Sequence, residues 1–230
     1  MRAVIKQLWR DARFWLRQVP EPTVFSLILF MTIVFFVGEV FGHRFEAGNC
    51  VPQEIVIALD GFTLENDVSL LPLVTLLTAT ILHGDAGHLG SNMAVFWPFG
   101  CLASQSLGKW HVLWIFAVTG IVGNIAHVAM GPSSEIPLLG ASGAVAGFEG
   151  VFVGLACRWR LRWPHVWPLA HPVSPRRLVV FAVVGVGLDA FRMASDDVSN
   201  VAFDAHVGGF ISGFVIGLEW TFVRKRPLNA

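Results

Sequence analysis

Four polar side chains in an otherwise apolar chain have the types and spacing for acyl-transfer chemistry. Ser142 stands in Gly140-Ala141-Ser142-Gly143, at the head of an apolar run. A serine at a helix N-terminus beside glycines is surrounded by unpartnered backbone N–H groups, which can hold a developing oxyanion. Its hydroxyl is a poor nucleophile until a neighbouring base takes the proton, and histidine is the usual base near neutral pH. His206, in Ala205-His206-Val207-Gly208-Gly209, is the candidate base. Gly209, Gly213 and Gly217 follow on its own helical face, and Gly143, Gly147, Gly150 and Gly154 offer a matching small-residue surface after Ser142. Packing the two stripes together would bring His206 within hydrogen-bond reach of Ser142. His88 and Asn92 are four apart, share one helical face, and can both donate to an anionic oxygen beside the Ser142 amide. Singly, Ser142 reads as a helix cap and His206 as a packing histidine; as a pair they read as catalytic. His83 reads as a histidine fixing its loop by a hydrogen bond.

The rest of the chain must hold these groups at one depth. Of 230 residues, 54% are hydrophobic and 14% charged, against about 25% charged in an average globular chain. With a mean hydropathy of +0.64, this composition excludes an ordinary soluble enzyme, a disordered linker and a coiled coil. Lys plus Arg equals Asp plus Glu at 16 each, so no net charge points to nucleic acid. Cys50, Cys101 and Cys157 are too few and too scattered for a disulfide framework or a zinc module. Only Cys50 is expected on the outer side, so no intrachain disulfide is expected. The class is an all-α polytopic membrane protein, because a helix satisfies its own backbone in hydrocarbon.

A spanning helix needs about 20 mostly apolar residues. Six segments qualify: 23–41, 89–107, 110–130, 142–157, about 173–191 and about 205–223. The first follows a basic stretch, but no small-residue cleavage site comes after it, so it reads as a retained anchor. Segment 68–82 is apolar yet short and contains Pro72; it is expected in the interface or packed on the bundle. With both termini inside, 14 of the 16 Lys and Arg residues fall on the cytoplasmic side and only Arg44 and Arg192 remain outside. The first outer loop carries Glu46, Glu54, Asp60, Glu65 and Asp67, and Gly61, Asn66 and Pro72 make it look irregular. The expected layout is a cytoplasmic segment 1–22, one six-helix domain 23–223 and a cytoplasmic tail 224–230. Segment 142–157 measures about 24 Å against a hydrocarbon core of about 30 Å, which places Ser142 below the outer surface. His206 opens the last helix from the same side.

Three elements together resemble the rhomboid family of intramembrane serine proteases: His88-Leu89-Gly90-Ser91-Asn92, Gly140-Ala141-Ser142-Gly143, and Ala205-His206-Val207-Gly208-Gly209-Phe210-Ile211-Ser212-Gly213. The resemblance covers about residues 23–223. It implies a six-helix bundle, a Ser142–His206 dyad with no third acid, and an oxyanion hole made by His88, Asn92 and the Ser142 amide. His83 corresponds to a second family histidine with a supporting role, and Gly140, Gly143, Gly209 and Gly213 support the two motifs. Substrates would be single-span membrane proteins cut in or near the transmembrane segment, in a lipid bilayer, with no metal or cofactor.

The chain departs from the family pattern in three places. Val74-Thr75 stands where a Trp-Arg pair is common. Ala103-Ser104-Gln105-Ser106 lacks a glutamate common near the end of the second helix. Ala146 replaces a Tyr or Phe against the catalytic imidazole, so the orientation of His206 falls to other neighbours such as a nearby Phe or Trp. Glu149, two turns past Ser142, lies about 10 Å away, too far for a third acid. Asp189 sits near the outer end of its helix, where solvation is the expected account. His127 reads as structural, His111, His165 and His171 as cytoplasmic, and Trp159, Trp163 and Trp167 as an interfacial belt.

Three function classes compete. A rhomboid-type protease explains every motif. A catalytically silent rhomboid-like protein that binds transmembrane clients would usually lack Ser or His, and both are present. A metal or haem protein built on His83, His88, His127 and His206 leaves the serine motif unexplained. A transporter would need more spans or a repeat. Short tails and six helices without an added span point to a bacterial plasma membrane.

Overall fold

Caps and prolines set the helix boundaries. The structure, a computed structural model, describes residues 21–41, 45–63, 69–161, 174–195 and 201–224. The segment 1–20, most of the 158–177 loop with Trp163, His165, Trp167 and His171, residues Arg44, Glu65, Asn66 and Asp67, and tail residues 225–230 lie outside them. In chain order the helices are α1 (Pro22–Phe41), α2 (Pro52–Thr63), α3 (Leu71–Thr78), α4 (Ala86–Leu107), α5 (Lys109–Met130), α6 (Ser142–Ala156), α7 (Pro175–Ala194) and α8 (Phe203–Val223). Short 3₁₀ turns stand at Glu46–Gly48 and Ala79–Ile81. Pro52, Pro72 and Pro175 each fall in a first turn, where the missing N–H costs no hydrogen bond. Asp85 caps α4 with its carboxylate on the His88 amide at 2.8 Å.

α1, α4, α5, α6, α7 and α8 match the six expected segments to within three residues at each end. α1, α5 and α8 are each long and apolar enough to cross a membrane. The loop between α1 and α4 corrects the sequence reading: among its described residues much is helical, with Gly61 inside α2 and Pro72 in the first turn of α3. Pro52 starts α2 and Pro72 lies within the first turn of α3, so both prolines begin helices rather than break them. Ile55 and Ala58 of α2 turn inward while Ile57 and Leu59 are exposed. The α3 segment packs on the bundle through α5, where buried Asn124 donates Nδ2–H to the Leu76 carbonyl at 2.8 Å.

α6 is the centre. From Gly143 to Leu155 every residue except Glu149 is buried, as suits a helix that is apolar all round. Its partners are α8 on one side and α5 and α4 on others, with α7 beside α6 and α8. The α6–α8 contact is backbone on backbone. A Cβ at Gly209 would collide with the Gly143 carbonyl, one at Gly213 with the Gly147 carbonyl, and one at Gly217 with the Val151 carbonyl. From the other side, Gly150 and Gly154 face the carbonyls of Phe210 and Phe214. Helices this close gain dispersion and weak Cα–H···O contacts that larger residues would prevent. On α5, Gly123 faces the Ala205 carbonyl, and fully buried Thr119 fills the space opposite Gly147 while its hydroxyl bonds the Ile115 carbonyl at 2.7 Å. α1 lies outside α4, with Val24 against Gly100. α7 is peripheral: Ala182 is its single buried residue.

The glycine contact makes a direct prediction. Gly213→Ala should lower the thermal midpoint in detergent, because overpacking costs about 1–3 kcal/mol. Gly185→Ala on α7, where a Cβ meets open space, should leave the midpoint unchanged or raise it. Equal midpoints for the two variants would show that the α6–α8 approach is looser than described.

Candidate active site

Ser142 is the first residue of α6, and the loop before it is held from three directions. The Gly140 amide bonds the Ala79 carbonyl at 2.9 Å. Leu138 pairs with Cys50 through reciprocal bonds of 2.8 and 3.0 Å, and Gln53 N–H reaches the Ser134 carbonyl at 3.1 Å. Gly140 has φ +132°, a backbone state that disfavours any side chain. A Cβ there would lie 2.7 Å from both Cε1 and Nε2 of His88 and 3.8 Å from Ser142 Oγ. Gly140 therefore leaves room for the His88 ring beside the serine. Asn92, one turn along α4, is buried, and its Nδ2 has no hydrogen-bond partner.

His206 arrives from the other wall. Gly143 packs on the Ala205 carbonyl and Gly209 on the Gly143 carbonyl, so the backbones carrying Ser142 and His206 touch. Among the described residues no hydrogen bond joins the hydroxyl to the ring, as is common before a substrate is bound. The structure thus gathers Ser142, His206, His88, Asn92 and Gly140 at one end of the bundle. His83 stands beside them, its ring edge-on to His88 at 5.3 Å between centroids.

Asp189 corrects the sequence reading. It is not simply solvated: Oδ2 lies 3.0 Å from His206 Nδ1, with side-chain exposures of 21% and 17%. A third acid therefore does touch the imidazole, contrary to what the resemblance implied. Sequence reasoning saw an acid near the outer end of its helix but could not know that α7 and α8 pack side by side there. Glu149 lies within electrostatic reach of Asp189, on the side of α6 that faces α7. The Phe203 ring stands edge-on to His206 at 6.2 Å, so a phenylalanine one turn earlier supplies the aromatic neighbour that Ala146 does not. Its own ring lies under the Arg192 guanidinium at 5.5 Å.

His127 pairs through Nδ1 with Asp204 Oδ1 at 2.8 Å, which ties α5 to α8 near the site and gives this histidine a structural place. His83 differs from its expected loop-fixing role: neither ring nitrogen has a hydrogen-bond partner. Burial and neighbouring His88 push its pKa down to about 4, against the pull of Asp85 and of an Ile81 carbonyl that is near but outside hydrogen-bond geometry. At the far end of α4, the Glu21 carboxylate reaches Ser104 and Gln105, so an acid meets that helix end from the α1 flank. Among the described residues no three His, Cys, Asp or Glu side chains could hold a metal ion together.

A family model described as Rhomboid domain matches residues 72–223. The rhomboid protease GluP of Bacillus subtilis is 30% identical over 139 residues, covering 60% of this chain and 24% of that protein. RHOMBOID-like protein 12, mitochondrial, of Arabidopsis thaliana is 27% identical over 233 residues, covering 94% of this chain and 63% of the relative. Rhomboid protease AarA of Providencia stuartii is 24% identical over 156 residues, covering 62% and 54%. The chain thus spans from about a quarter to under two thirds of the length of these relatives. Bacterial, mitochondrial and chloroplast proteins are all among those it matches.

The His83 environment predicts an acid-dependent stability. Its folded pKa of about 4 lies below the ordinary value of 6.5, so the unfolded chain binds the proton first. The stabilisation is complete above about pH 6.5 and is lost as pH falls toward about 4, by at most about 3 kcal/mol. His83→Gln should remove that part of the pH dependence. Parallel curves of thermal midpoint against pH for both proteins would contradict a buried neutral imidazole.

Proposed function

The chain belongs to the rhomboid family, and on that premise we propose that it is an intramembrane serine endopeptidase that cuts transmembrane proteins in or near their membrane span. Ser142 is the nucleophile and His206 the base. The observation that supports this reading is the glycine contact at Gly143 and Gly209, which brings together the turns carrying the two residues, while the His88 ring stands against Gly140. In the reaction Ser142 Oγ attacks the scissile carbonyl carbon as its proton passes to His206 Nε2. The carbonyl oxygen becomes an oxyanion, which the Ser142 amide, His88 and Asn92 can stabilise. The unpartnered Asn92 Nδ2 supports that role, since a donor kept idle in the resting site is available when charge develops. The C–N bond then breaks and the proton returns to the leaving amine nitrogen. Water repeats the cycle on the acyl-enzyme, with His206 again the base. His83 stays neutral beside His88 and supports its position.

The topology is part of the proposal: six spans from α1 and α4–α8, residues 1–22 and 224–230 on the cytoplasmic side, and the site near the outer face. α2 and α3 form a lateral cap at that face. The location is a bacterial plasma membrane, supported by the bacterial relatives; the organellar relatives carry the same family domain in other membranes.

Detergent-purified protein should react with a fluorophosphonate probe, and Ser142→Ala and His206→Ala should both abolish labelling while remaining folded. Asn92→Ala should slow it about 100- to 1000-fold. Labelling that survives Ser142→Ala would move the nucleophile elsewhere. No labelling of folded wild type would favour a silent, client-binding protein.

A further inference from the structure

We infer that Asp189 is a positioning residue for the base, so that the site operates as Ser142, His206 and Asp189 rather than as a pair. This rests on the reading of Ser142 and His206 given above. The carboxylate lies 3.0 Å from His206 Nδ1 and, when ionised, can only accept a hydrogen bond. The proton must therefore sit on Nδ1, which leaves the Nε2 lone pair for the serine. When the Ser142 proton moves to Nε2, the ring becomes an imidazolium beside an existing negative charge. The Nδ1 proton stays on the ring and Asp189 stays ionised throughout, so one proton moves and charge balances between imidazolium and oxyanion.

Each helix packed near the ring contributes charged or titratable groups, and they divide clearly. On α4, His88 lies close enough for the two imidazoles to feel one another. On α6, Glu149 faces Asp189 rather than the ring. On α7, Arg192 is occupied with the Phe203 ring. On α8 itself Asp204 is held by His127 of α5. Among these groups Asp189 alone hydrogen-bonds the imidazole. Phe203 fixes one face of the ring edge-on, so acid and aromatic together define its plane.

The competing account is mechanical. α7 buries a single side chain, Ala182, and a polar latch to α8 would help hold it. The two accounts differ on asparagine. A latch needs any hydrogen bond, which Asn can make. Base positioning needs a negative acceptor, and an Asn that turns its NH₂ toward Nδ1 selects the wrong tautomer.

The test is fluorophosphonate labelling of the full chain in detergent, with saturation kinetics separating the maximal inactivation rate from probe affinity. Wild type, Asp189→Asn, Asp189→Ala and Asp189→Glu are compared at one neutral pH. The expected result for Asp189→Asn is a maximal rate reduced roughly 10- to 1000-fold with probe affinity little changed. That is less than the ~10⁴-fold cost of the same change in a fully enclosed triad, because water can partly replace the lost acceptor here. Asp189→Ala should be no slower than Asp189→Asn, and Asp189→Glu should recover part of the rate. An Asn variant with the wild-type maximal rate, beside an Ala variant that loses thermal stability, would overturn the inference and leave the dyad intact. Wild type that is unlabelled, or labelled without Ser142, would overturn both readings.

Discussion

Backbone-on-backbone contact between α6 and α8 is the constraint on which the rest of this protein depends. In lipid the tails are as apolar as any side chain, so helices associate through close packing and not through escape from water. Gly143 against Gly209, Gly147 against Gly213 and Val151 against Gly217 fix one register, turn after turn. A slip by a single residue would drive side chains into the facing backbone. The pairing of the Ser142 turn with the Ala205-His206 turn is therefore specified mainly by glycines, most of which touch no reacting atom.

Around that seam the polar groups are sorted. Asn124 is spent on the Leu76 carbonyl, Asp204 on His127, and Asp189 on His206. Satisfying each inside the helix bundle avoids the penalty of an unpaired polar group. Among the described residues, Asn92 Nδ2 and both nitrogens of His83 near Ser142 have no partner, as do Asn49 Oδ1, His111 Nδ1 and Trp220 Nε1 elsewhere. Buried orphans ask for an explanation. For Asn92, the oxyanion role proposed above supplies one.

Two of the three departures from the family pattern find replacements drawn from other parts of the fold. The aromatic neighbour of His206 comes from Phe203 on its own helix instead of from position 146 on α6. A carboxylate reaches the end of α4 from Glu21 instead of from α4 itself. In both cases the contact is made by a residue that no local motif marks. Geometry defines these roles better than alignment position does.

Much of this molecule was legible without coordinates. Apolar runs located six helices to within a few residues, because length and hydropathy are local properties. The glycine spacings after Ser142 and His206 announced two faces able to meet, and those faces do meet. Serine, histidine and asparagine could be named because their chemistry depends on residue type. The sequence misread the first loop by taking Gly61 and Pro72 as marks of irregularity, when Gly61 lies inside α2 and a proline in a first turn starts a helix. It also left Asp189 to solvent. No periodicity in 175–194 says which neighbour an acid near the helix end will face, since that depends on where α7 docks against α8. The sequence by itself determined the elements and the candidate reacting groups; only the tertiary structure decided which acid, which ring and which loop hold the histidine, because those contacts join residues from helices that the chain does not pair locally.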